Sequence, residues 1–134
     1  SDKGDTLQTN ATKEYAAPDD RPELPTGELI NVKPENDFST AKVVHKDVEK
    51  KIQTVLTGYE GPVEAVLART NGLKIISKAG HDYDGFLLCN YGDSNVMLEP
   101  IAKAPNIINT NPENALLPTG ENKARFTYEL SLAA

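Results

Sequence analysis

Thr40-Ala41-Lys42-Val43-Val44-His45-Lys46-Asp47-Val48-Glu49-Lys50-Lys51-Ile52-Gln53-Thr54-Val55-Leu56-Thr57 separates an α+β fold from an all-β one. Val44, Val48, Ile52, Val55 and Leu56 recur at the spacing of a single helical face, while Lys46, Glu49, Lys50 and Gln53 fall on the wet side. Ser39 offers an N-cap and Gly58 a C-terminal stop. The spacing predicts one amphipathic helix over about 40–57, with a first turn weakened by the β-branched Val43 and Val44. With that helix the chain is α+β. A β-sandwich-like arrangement is the alternative.

Downstream the hydrophobic period falls from 3.6 to two. Residues 63–69 read as a strand, Asn71-Gly72 as a two-residue hairpin turn and residues 73–77 as the returning partner. Residues 86–90 and 96–99 read as two further strands, separated by polar turns. Proline and asparagine then dominate residues 104–122, a long loop. The final ten residues alternate cleanly. Phe126, Tyr128, Leu130 and Leu132 share one face, and Arg125, Thr127, Glu129 and Ser131 share the other. These segments predict an antiparallel meander of about five strands after the helix. Its last strand should insert its apolar side chains into a layer of its own domain or of a neighbour.

Upstream, residues 1–37 carry four of the nine prolines (Pro18, Pro22, Pro25 and Pro34) and few large apolar side chains. Such a segment buries too little surface to offset its ordering entropy, so it reads as an extended or disordered arm. Residues 28–32 are a short strand or docking segment within it, and residues 38–134 form a single compact domain. Leu24-Pro25-Thr26-Gly27-Glu28 recurs as Leu117-Pro118-Thr119-Gly120-Glu121, each copy suited to a tight turn feeding an extended segment. The sortase signal has a further residue between proline and threonine, which both copies lack.

The formal net charge of −6 opposes binding to phosphate backbones and to anionic membrane surfaces. Basic residues cluster only at Lys46, Lys50 and Lys51, interleaved with Asp47 and Glu49, which is the pattern of a solvated face. No apolar run approaches the roughly 18 residues that span a bilayer. A lone cysteine, Cys89, excludes an internal disulfide. Ser1, in place of Met, reads as a trimmed or engineered end.

Candidate chemistry is sparse. His81-Asp82-Tyr83-Asp84 before Gly85 resembles the opening of a calcium loop, but Phe86-Leu87-Leu88 stands where further ligands belong. A solvated turn accounts for the same residues. Cys89 sits in an apolar strand, where a thiol behaves as a small hydrophobe. His45 and His81 are the bases available at neutral pH, and neither falls in a catalytic motif. No catalytic, cofactor-binding or metal-ligating residue is assigned, and the chain reads as a non-enzyme. Asn10-Ala11-Thr12 matches the N-glycosylation pattern.

Residues 48–77 (helix, glycine, strand, Asn-Gly, strand) resemble the opening of roadblock and profilin-like domains. In those families a helix follows the hairpin, whereas residues 82–98 here read as strands. A proline-rich arm, a β-rich body and an amphipathic terminal strand are together similar to subunits of extracellular or viral assemblies, such as pilins and phage capsid-decoration proteins. That likeness implies a structural or assembly module that engages a protein partner or itself through its arm or terminal strand. It favours an extracellular, cell-surface or virion location. The residues expected at such an interface are Leu29, Ile30, Val32, Tyr83, Tyr91, Phe126, Tyr128, Leu130 and Leu132. The alternative is a small ligand- or metal-binding domain using loops 80–85 and 91–95.

Overall fold

A computed structural model describes residues 4–44, 52–90, 96–115 and 127–134. Their architecture is two antiparallel five-stranded sheets with very little helix. The strands are β1 (Thr6–Thr9), β2 (Lys13–Tyr15), β3 (Leu29–Asn31), β4 (Lys42–Val43), β5 (Ile52–Thr57), β6 (Val63–Ala68), β7 (Lys74–Ala79), β8 (Gly85–Asn90), β9 (Val96–Ile101) and β10 (Tyr128–Ala133). The first sheet runs β10-β7-β6-β1-β4 and the second β3-β2-β5-β8-β9. Short crossings link β1 to β2, β5 to β6 and β7 to β8, so strands in matching positions of the two sheets stack over one another.

The described residues do not support the amphipathic helix over 40–57. Its described ends are strands: β4 pairs with β1, and β5 lies at the centre of the second sheet between β2 and β8. The middle of that stretch, including His45, Lys46, Val48 and Lys50, lies outside the described residues. Ile52, Thr54, Val55 and Thr57 are β-branched, which suits a pleated surface better than a helix. Residues Thr54 to Thr57 are all buried, because the strand is covered on both faces. A strand covered on both faces loses its alternation, and Ile52, Val55 and Leu56 then mimic a helical stripe. Gly58, expected as a helix stop, instead turns the chain from β5 towards β6 at φ +71°.

The arm reading also gives way. β1 fills an interior position of the first sheet, paired with β4 on one side and β6 on the other, and β2 is sandwiched between β3 and β5. Leu7 of β1 is wholly buried. Long-range pairing thus offsets the ordering entropy that local composition could not. The five strands expected downstream all form, but not as a meander. β6 and β7 make a hairpin in the first sheet, β8 and β9 pair in the second, and β10 returns to β7. The β6–β7 hairpin closes on Arg69 and Leu73 around a three-residue loop, one longer than the two-residue turn expected because Thr70 joins it, with Leu73 N–H also donating to the Asn71 side chain. Gly72 supplies the left-handed position there at φ +89°, which only glycine adopts without strain. In the first Leu-Pro-Thr-Gly-Glu copy, Thr26 N–H donates to Ala16 carbonyl and Ala16 N–H to Glu28 carbonyl, so the segment leads into β3 by cross-strand bonds rather than by the tight turn expected. The second copy lies outside the described residues.

The core lies between the inner faces. Leu7, Val63, Ala65 and Ala79 of the first sheet meet Leu56, Phe86 and Leu88 of the second, and Phe38 closes the β3–β4 side. Each fully buried leucine contributes about 2–3 kcal/mol of transfer free energy. Tyr59 meets Phe86 edge to face at 6.3 Å between centroids, and its hydroxyl shares a 2.9 Å hydrogen bond with Thr9. Buried Glu14 lies in register with Leu56. Its carboxylate accepts from Lys33 N–H and the Asn36 amide and so pins the turn that follows β3.

Candidate functional site: the open edge of β10

β10 joins the sheet through β7 alone, and its other edge is free among the described residues. Gly80 N–H donates to Thr127 carbonyl, which makes that cross-strand pair a hydrogen-bonded one. Such pairs alternate along an antiparallel ladder. Glu129 and Ser131 therefore direct their backbone groups at Lys78 and Ile76 of β7. The hairpin partner agrees: Arg69 pairs with Leu73 by a backbone bond, which places the odd-numbered β7 residues towards β6 and the even-numbered ones towards β10. Tyr128, Leu130 and Leu132 consequently turn their N–H and carbonyl groups outward, away from the sheet.

The same three residues carry their side chains on the core-facing side. Leu130 lies opposite Ser77 and Leu132 opposite Ile75, while Tyr128 lies opposite buried Ala79 and donates its hydroxyl to Ser77 at 3.2 Å. Yet the second sheet does not cover them: Tyr128 is 43%, Leu130 60% and Leu132 68% exposed. The expected strand exists with the expected face, but its apolar side chains continue the core surface into solvent rather than entering a layer. On the opposite face Glu129 stands beside Lys78, which in turn pairs with Glu64 at 3.4 Å. The edge thus unites a run of unpaired backbone groups with a stripe of two leucines and a tyrosine.

The remaining expected interface residues are dispersed. Leu29 and Ile30 lie on β3 at the far side of the sandwich, the first exposed and the second half-buried, and Val32 packs against the core. Tyr83 also packs against the core, in the β7–β8 turn. Tyr91 and Phe126 lie outside the described residues. Sequence reasoning missed Ser77, the residue that anchors the Tyr128 hydroxyl. Its only signal was its place at the end of the strand after Asn71-Gly72.

The polar turn joins β7 to β8. His81 projects into solvent beside Asp82, and Asp84 approaches Lys103 at 3.9 Å. Burial raises the Asp84 carboxyl above its ordinary range, with Lys103 opposing the shift. Loop 91–95, the other half of the alternative ligand site, lies outside the described residues. Among the described residues no group of three His, Cys, Asp or Glu is placed to hold a metal ion. Cys89 is buried on β8 while His81 is exposed in the preceding turn, so the two are not brought together. A cleft of about 340 Å³ beside Glu14 is lined also by Tyr15, Asp19, Lys33 and Asn36. The Glu14 oxygens there are already occupied by backbone and amide donors. Among the described residues no helix is long and apolar enough to cross a membrane. No protein-family model matches the chain and no curated protein matches it, so the role of this edge is argued from its geometry.

Proposed function

We propose that this chain is a non-catalytic binding and assembly module that accepts an extended protein segment as an added strand along β10. One observation carries the reading: the outward backbone groups of β10 belong to the residues whose exposed side chains form the apolar stripe. Strand addition uses both features together, main-chain hydrogen bonds for affinity and alternate side chains for specificity. Protected sheet edges carry lysine, proline or a bulge, or are very short. β10 has six residues, no lysine and no proline.

Two measurements test this. Amide exchange on the dilute chain should show Glu129 and Ser131 protected by β7, with Tyr128, Leu130 and Leu132 exchanging freely. A labelled peptide alternating valine with threonine, ending in lysines, should bind saturably by fluorescence anisotropy and slow exchange at those three amides. Leu130→Pro should abolish this binding while leaving the fold intact, because the lost N–H points away from β7. With the chain diluted until it is monomeric, a peptide that binds without slowing those amides, or one that does not bind, would refute strand addition at β10.

A further inference from the structure

We infer that the strand taken up by β10 is β10 of a second copy of this chain, paired antiparallel about a two-fold axis at Leu130. This rests on the strand-addition reading and names its partner. The register follows from arithmetic on the edge. With Leu130 opposite Leu130 of the second copy, Tyr128 faces Leu132 of that copy and Leu132 faces its Tyr128. All three outward-facing residues then fall in hydrogen-bonded pairs, each exchanging two bonds. Moving the axis to Glu129 would set two carboxylates face to face, which is unfavourable across strands. Centred on Leu130, Glu129 meets Ser131 of the other copy and no like charges oppose.

Apolar complementarity agrees. A two-fold axis perpendicular to the sheet keeps both stripes on the same face, so two tyrosines and four leucines merge into one strip. The partly exposed Tyr128, Leu130 and Leu132 each gain a neighbour across the junction. Net charge does not forbid this. The formal charge of −6 is spread over the chain, and β10 carries only Glu129, set beside Lys78 of β7. At physiological salt, charges more than about 8 Å from the junction are largely screened.

Sedimentation equilibrium of the full chain across a broad concentration range tests the inference, alongside Leu130→Lys and two cysteine variants. A monomer–dimer equilibrium should appear, weakened about 100-fold or more by Leu130→Lys, which sets two ammonium groups on the axis. Hydrogen-bonded antiparallel pairs hold their Cα atoms about 5.5 Å apart, within disulfide range. Leu130→Cys should therefore oxidise to a covalent dimer. Thr127→Cys should not, because it lies opposite residue 133 of the second copy. A dimer insensitive to Leu130→Lys, or equal cross-linking at both positions, would place the contact elsewhere and overturn the inference. A chain that stays monomeric and still binds the valine–threonine peptide would overturn it too, and would leave strand addition standing with another protein as partner. A monomer that binds no peptide would remove both.

Discussion

A partner can use the β10 stripe only if the stripe contributes little to the fold it hangs from. A leucine buried in full contributes about 2–3 kcal/mol. Leu130 retains 60% of its exposure, so Leu130→Ala forfeits only the covered remainder, about 1 kcal/mol. Leu88 has no exposure and packs in the core cluster with Phe86, Leu56 and Leu7. Leu88→Ala should cost about 3–5 kcal/mol, because a cavity is added to the lost transfer energy. Urea unfolding followed by circular dichroism measures both, at a protein concentration low enough that association adds nothing to apparent stability. The denaturant slopes should match, so that the midpoints report stability alone. If Leu130→Ala costs as much as Leu88→Ala, the stripe is part of the packed fold and offers nothing to a partner.

Other expectations concern the frame that holds the edge. Gly85 starts β8 where a Cβ would run into the Leu56 carbonyl oxygen of β5, so Gly85→Ala should push the central strands apart and lower stability by about 3 kcal/mol, read as a urea midpoint. A loss below about 1 kcal/mol would mean the strands separate freely there. Burial raises the Tyr59 hydroxyl from 10.0 to about 12, opposed in part by its bond to Thr9. The neutral phenol is favoured in the fold, so its stabilising contribution is complete below pH 10 and is lost as pH rises towards 12. The loss amounts to about 2–3 kcal/mol. Tyr59→Phe should give up about 1 kcal/mol at neutral pH with the Thr9 bond, and then show a shallower alkaline decline. An unchanged alkaline slope would count against this assignment. Glu14→Ala should cost about 2–3 kcal/mol by orphaning Lys33 N–H and the Asn36 amide, and should speed exchange at Lys33 before other amides. Uniform exchange across the chain would contradict the pinning role.

The parts legible in the sequence were those governed by local chemistry. The period of two across Tyr128, Leu130 and Leu132, the Asn71-Gly72 turn and the four segments between 63 and 101 all mark strands that form. What failed depended on distant partners. Ile52 to Thr57 is buried on both faces from Thr54 onward, so its burial does not alternate and periodicity alone could not separate strand from helix. Thr6 to Thr9 has one large apolar residue, Leu7, yet it occupies an interior strand because β4 and β6 supply the hydrogen bonds. The candidate interface was half legible. Tyr128, Leu130 and Leu132 announce a shared face, but whether that face is buried depends on how far the second sheet extends, which no local pattern records.

Whether assembly at this edge would stop at two copies depends on the other edges. The first sheet ends at β4, which has two residues, and the second at β3, which has three. Neither is long enough to seat a strand well. The last edge, β9, spans six residues but contains Pro100, which has no N–H and breaks the run of donors an incoming strand would need. Each chain therefore presents one long unguarded edge among its described residues. A head-to-tail fibre needs two complementary surfaces per subunit, whereas a two-fold contact consumes the same surface on both copies. Pairing through β10 would exhaust the one edge of that kind among the described residues, so the closed dimer is its natural end point. A strand from any other protein must then compete with the second copy, which gives the edge a built-in threshold: only a segment that pairs better than β10 does with itself can displace it.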